Sequence, residues 1–224
     1  MCDFGTDLSR RRFVRIASVA TGALAVTGVS TLFGNDQIPA LRETADLITG
    51  PFYPRLKPRD RDADLTLVRG HHQRAAGQIL ELSGRVTNVK GEPVRNVRIE
   101  VWQANMHGRY AHPSDPNTQL SLDPGFQGYA LLRTDNEGRY RVRTIKPGPY
   151  PTARGDMRAP HIHFEIEGRI DRKVTQLFFP NERLNDQDRH LNSVRRPETL
   201  IANVSSTSDG SELVAHWDIV VTSG

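Results

Sequence analysis

Cysteine is almost absent from this 224-residue chain: the one thiol is Cys2, at the N-terminus. A lone cysteine closes no loop, so the fold rests on its apolar core and on any metal it binds. There is no internal repeat and no low-complexity tract, which sets repeat arrays aside. Long apolar runs are scarce too. The one uncharged stretch, 16–33, is rich in Gly, Ala and Thr and short for a transmembrane helix. The formal charge of +4 is also less than it looks. Without the four arginines and two aspartates of residues 1–33, the remainder holds 26 basic and 24 acidic residues. The remaining arginines are scattered and not interleaved with aromatics, so the charge pattern excludes nucleic acid as a partner.

The arginines that do cluster have a specific place. Ser9-Arg10-Arg11-Arg12-Phe13-Val14-Arg15, followed by the weakly apolar run 16–33, reads as a twin-arginine export signal. The competing readings are a basic amphipathic helix and a membrane anchor. No Ala-x-Ala site follows, so an uncleaved signal would leave the protein anchored. Cys2 precedes the apolar run, whereas a lipoprotein cysteine would follow it. The expectation is a protein carried by the twin-arginine machinery to the periplasm or the exterior, folded and loaded before export.

Downstream, residues 34–77 read as a linker with a short helix in 35–50, then Pro-, Asp- and Arg-rich surface loops from 51 onward. A β domain is expected over 78–224. Strands are predicted at 79–86, 97–102, 128–133, 139–145, 161–168, 174–179 and 212–221, with Asp135-Asn136-Glu137-Gly138 turning between two of them. In 97–102, Val97, Ile99 and Val101 alternate with Arg98, Glu100 and Trp102, the pattern of a half-buried antiparallel strand. Tyr129 and Tyr140 sit in strands and are assigned to the core. Many short strands so spaced indicate an all-β antiparallel sandwich. The polar segment 107–127 is too long for a tight hairpin and is a candidate site loop.

The chemistry concentrates at His161-Ile162-His163. In a strand, alternate side chains share a face, so both imidazoles point one way with Cα atoms about 6.6 Å apart, close enough to meet on one metal ion. Alone, the pair reads equally as two hydrogen-bonded or exposed histidines. Gly108-Arg109-Tyr110 and Pro147-Gly148-Pro149-Tyr150-Pro151 each add a tyrosine from an element end or turn. Two phenols and two imidazoles suit ferric iron: a phenol with a pKa near 10 ligates only a strongly polarising cation, and two phenolates offset two of its three charges. His71, His72, His107, His112, His190 and His216 lack this context and read as surface or packing residues.

These segments resemble the intradiol ring-cleavage dioxygenases over about 49–180. The shared motifs, in order, are Thr49-Gly50-Pro51-Phe52-Tyr53-Pro54, Val101-Trp102-Gln103-Ala104-Asn105 with Gly108-Arg109-Tyr110, Thr144-Ile145-Lys146-Pro147-Gly148-Pro149-Tyr150-Pro151, Arg158 before the histidines, and Thr175-Gln176-Leu177-Phe178-Phe179. The resemblance implies a non-haem Fe(III) held by Tyr110 and His161 as the equatorial pair and by Tyr150 and His163 as the axial pair. It makes Arg158 and Gln176 polar residues beside the reacting substrate, and places Tyr53 near the substrate pocket. There are two departures. Arg158-Ala159-Pro160-His161 reverses the usual proline and alanine, and Thr152 replaces a frequent aromatic after the Tyr-Pro pair.

The expected function is cleavage of a catechol-type substrate by O2 to a muconate-type dicarboxylate. The short proline-rich stretch before the first strand favours the protocatechuate-like branch, as a homo-oligomer or with a paired subunit. Two other readings compete. A noncatalytic prealbumin-like binding module would share the Ser83-Gly84-Arg85-Val86 and Gly91-Glu92-Pro93-Val94 segments. A zinc hydrolase would use the His-x-His pair with a polarised water.

Overall fold

The computed structural model describes residues 40–169 and 171–223. The export signal and the first part of the following linker lie outside the described residues. Eleven strands follow in chain order: β1 (Ile79–Asn88), β2 (Arg98–Trp102), β3 (Tyr129–Arg133), β4 (Arg139–Ile145), β5 (Tyr150–Pro151), β6 (Met157–Arg158), β7 (His161–Glu167), β8 (Arg172–Phe178), β9 (Asn203–Ser206), β10 (Glu212–His216) and β11 (Ile219–Val221). Three 3-10 turns, Arg183–Gln187, Leu191–Ser193 and Pro197–Leu200, separate β8 from β9.

The strands form a sandwich. One sheet runs β11-β1-β10-β9 with β4 also on β1; the other runs β3-β2-β7-β8 with every pairing antiparallel. Leu80, Leu82 and Val86 of β1 and Val142 of β4 pack against Ile99 and Val101 of β2 and Ile162, Phe164 and Ile166 of β7. These positions are every second residue, as a face buried between two sheets requires.

The sequence expectation needs three corrections. The strand expected over 212–221 is broken at Trp217-Asp218, giving β10 and β11, both parallel to β1. Ser83 and Asp218 capture the nearby amides: Trp217 N–H donates to Ser83 O at 2.9 Å and Arg85 N–H to Asp218 Oδ1 at 2.8 Å. The chain can close so tightly only because residue 84 is glycine; a Cβ there would lie 1.8 Å from Trp217 O.

No helix forms in residues 40–50. Their amides are spent on the sheets instead, Thr44 N–H on Val220 O at 3.0 Å and Leu47 N–H on Val174 O at 2.8 Å.

The third correction concerns β2, which is buried on both faces and not half-exposed. Glu100 and Trp102, on the side away from the sandwich core, are 0% and 1% exposed. A second apolar cluster covers that outer face, made of Phe52, Trp102, Ala104, Tyr110, Tyr129 and Tyr150. Tyr129 and Tyr140 are buried as expected.

Candidate active site

The outer face of the β3-β2-β7-β8 sheet carries the candidate site. Because Ile162, Phe164 and Ile166 of β7 turn into the core, His161 and His163 must turn outward. Trp102, His163 and Gln176 stand in one row across β2, β7 and β8. The Trp102 indole stacks on the His163 imidazole with centroids 4.8 Å apart and planes 9° apart. His161 stacks on Phe178 of β8 at 5.4 Å.

Two loops deliver the tyrosines. Tyr110 follows a turn closed by Asn105, whose Oδ1 accepts the amides of His107 and Arg109 at 2.9 and 3.0 Å. Its own amide donates to Asp115 Oδ2 at 2.8 Å, and Arg109 pairs with the same carboxylate at 3.0 Å. Gly108, at φ +78°, lets this turn lie against the loop before Tyr150; a Cβ there would meet Pro149 O at 2.2 Å. Glycine suits the position on both counts. Tyr150 itself begins a minimal hairpin, β5–β6, in which it pairs with Arg158. Strands of two residues carry no periodicity, so this hairpin could not be read from sequence.

The four ring systems converge. His161 Nε2 lies 3.2 Å from His163 Nε2 and 3.3 Å from Tyr150 Oη. The Tyr110 ring stands edge-on to Tyr150, with centroids at 5.3 Å, and 6.2 Å from the His163 ring. His161 Nδ1–H donates to Ala159 O at 2.7 Å, which leaves the Nε2 lone pair free. Burial, reinforced by the Arg158 charge, holds both imidazoles well below their ordinary value of 6.5, so they stay neutral. Burial drives the Tyr110 phenol well above 10 and raises Tyr150, the latter partly opposed by Arg158.

This donor set fits a hard trivalent cation. Tyr110 Oη is buried with no hydrogen-bond partner among the described residues, a costly arrangement for a phenol unless something else engages it. Two neutral imidazole nitrogens at 3.2 Å match the edge of a coordination shell with metal–nitrogen bonds of about 2.1 Å. No group of three or more His, Cys, Asp or Glu is placed to hold a metal among the described residues.

Beside the rings lies a cavity of about 690 Å³. Tyr150 and Arg158 line it together with Ile48, Pro51, Phe52 and Met157, and with Ser114 and Pro116 from the polar 107–127 segment. Arg158 is only 5% exposed. Its Nε donates to Asp188 Oδ2 at 2.9 Å and its Nη2 to Gln176 Oε1 at 2.7 Å. Gln176 in turn donates from Nε2 to Ile48 O at 2.9 Å.

Tyr53, expected near the substrate, does not line this cavity. Its ring packs edge-on to Trp102 at 5.0 Å and its hydroxyl donates to the buried Glu100 at 2.9 Å, beneath Lys57. Three contributors went unread in the sequence. Asp188 is the extended residue that ends the 183–187 3-10 turn, in a stretch without periodicity, His190 lines the cavity and is not merely a surface or packing residue, and Asp115 braces Tyr110. Nothing local distinguishes Asp188 from its neighbour Asp186.

A sequence model described as dioxygenase matches residues 48–223. The beta chain of protocatechuate 3,4-dioxygenase from Burkholderia cepacia is 39% identical over 168 residues, covering 71% of each chain. Hydroxyquinol 1,2-dioxygenase from Rhodococcus opacus is 31% identical over 175 residues, covering 72% of this chain and 52% of that protein. Among solved structures, the dioxygenase domain of a dioxygenase carbohydrate-binding protein fusion from Streptomyces sp. SirexAA-E superposes with a TM-score of 0.61 at 26% identity, covering 82% of this chain and all of that one. The 3-chlorocatechol 1,2-dioxygenase of Rhodococcus opacus shares the fold, with a TM-score of 0.63 at 22% identity over 79% of this chain and 71% of that one. With its sandwich, its paired histidines and tyrosines, and these relatives, the chain belongs to the intradiol ring-cleavage dioxygenase family.

Proposed function

We propose that this protein is a non-haem Fe(III) intradiol dioxygenase that opens a catechol-type ring with O2 to a muconate-type dicarboxylate. The observation that carries the reading is the convergence of two neutral imidazoles and two buried phenols beside a cavity that Tyr150 and Arg158 line. Tyr110, Tyr150, His161 and His163 would hold the iron. When bound, a ferric ion would supply the Lewis acidity that makes phenolates of the tyrosines and activates a catechol.

The remaining chemistry belongs to the chain. Tyr150 lines the cavity, so its Oη can take a proton from a catechol hydroxyl. Arg158 offers its cation to negative charge developing on the ring as oxygen attacks. Ile48, Pro51, Phe52 and Met157 give the ring an apolar berth and thin the water around it.

The protocatechuate-like branch is the reading favoured by the 39% identity to a beta chain. A pseudomonad alpha chain is 33% identical over 135 residues, which supports assembly as a homo-oligomer or with a paired subunit. Export by the twin-arginine route to the periplasm or beyond rests on Arg10, Arg11 and the run 16–33. Oxygen uptake and product identification with catechol, protocatechuate and hydroxyquinol test the activity. Stoichiometric O2 consumption with a dicarboxylate product supports it, and no uptake by iron-loaded protein with any of them contradicts it.

A further inference from the structure

We infer that Asp188 is the positioning residue for Arg158, locking the guanidinium so that one nitrogen alone is left to meet substrate. The inference rests on the dioxygenase reading above. Asp188 is fully buried, and each of its carboxylate oxygens has a separate task. Oδ2 accepts Arg158 Nε–H and Ala159 N–H, both at 2.9 Å. Oδ1 accepts His190 N–H at 3.0 Å and Leu191 N–H at 3.1 Å. One side chain thereby joins the strand junction before His161 to the turn that puts His190 in the cavity wall.

The consequence for Arg158 is geometric. A guanidinium is a planar fork, and fixing two of its corners fixes the third. Nε is held by Asp188 and Nη2 by Gln176, so Nη1 is the corner with no partner among the described residues. Arg158 lines the cavity, so that free corner is what a bound ring would meet. Gln176 is itself held by Ile48 O, whereas Asp188 adds charge as well as direction. An arginine tethered at one corner alone would swing about that bond, and loss of orientation beside a reacting ring is costly in turnover.

Asp188→Asn separates this role from simple scaffolding. The amide oxygen can still serve His190 and Leu191, but an NH2 would face the Nε–H and N–H donors where Oδ2 now accepts. The turn is kept and the guanidinium is unlatched. With iron-loaded protein and protocatechuate or catechol, whichever turns over faster, kcat should fall roughly 10- to 100-fold while KM stays within about 3-fold. Iron content and the visible band should be unchanged. In an Arg158→Lys background the same change should have little further effect, since there is no fork to orient, and unfolding midpoints of the four proteins should be non-additive in the same sense.

If Asp188→Asn does not fold, Asp188→Glu carries the comparison; it keeps both acceptor oxygens on a longer stem and should lose kcat with KM retained. Wild-type turnover in the Asp188 variant beside an impaired Arg158→Lys would overturn the positioning role and leave the dioxygenase reading standing. An equal loss in both backgrounds would overturn it too, because Asp188 would then act elsewhere. If iron-loaded wild type opened no catechol, both readings would fall.

Discussion

Trp102 lies flat on His163, one strand over and in register, with planes 9° apart. His163 Nδ1 has no hydrogen-bond partner among the described residues, so in the proposed iron site the stack would take the place of the usual partner that fixes a ligand imidazole. Aromatic pairs of this kind contribute about 0.5–1.5 kcal/mol beyond buried area. Trp102→Leu should therefore speed iron release to a chelator by roughly 2- to 10-fold, beyond any general loss of stability. Release at the wild-type rate would mean the stack does not hold the ligand.

Removing a ligand should separate metal from fold. Tyr110→Phe or His161→Ala should lose most iron and activity while the far-ultraviolet circular dichroism of the sandwich persists, because the core packs on the opposite face of β7. His161→Ala with full iron and activity would refute the ligand assignment.

The metal-free protein should be sensitive to acid. His161 and His163 have depressed values in the fold, whereas an unfolded imidazole titrates near 6.5. Below that pH the unfolded chain binds more protons than the folded one, so stability present above pH 6.5 is lost as pH falls through the folded values. The urea midpoint should drop between pH 7.5 and 5, and less steeply in a double His161→Gln, His163→Gln variant. Equal slopes would show that the histidines are not the cause.

Export should depend on the arginine pair. Changing Arg10 and Arg11 to Lys should trap the protein in the cytoplasm, as judged by fractionation. Equal exported amounts from variant and wild type would exclude the twin-arginine route.

The sequence revealed what has a period or an ordered motif. Alternation located β2, strand composition and turn residues located β1, β4 and β7, and the His-x-His parity put both imidazoles on one face because Ile162 has to be buried. It could not show that β2 is covered on its second face, since that depends on Phe52 and Tyr53 folding back from a distant segment. The same holds for Tyr53, whose partner Glu100 is 47 residues away. Asp188 was illegible for a related reason. Its role arises from a contact 30 residues back along the chain, within a segment whose short 3-10 turns leave no pattern.

The central claim is that two tyrosines and two histidines hold one ferric ion. It is tested most directly by metal analysis and visible absorption of the purified protein. One iron per chain with a broad tyrosinate-to-iron band, giving a red to burgundy solution that bleaches in Tyr110→Phe, is the predicted result. A colourless protein carrying stoichiometric zinc would contradict it.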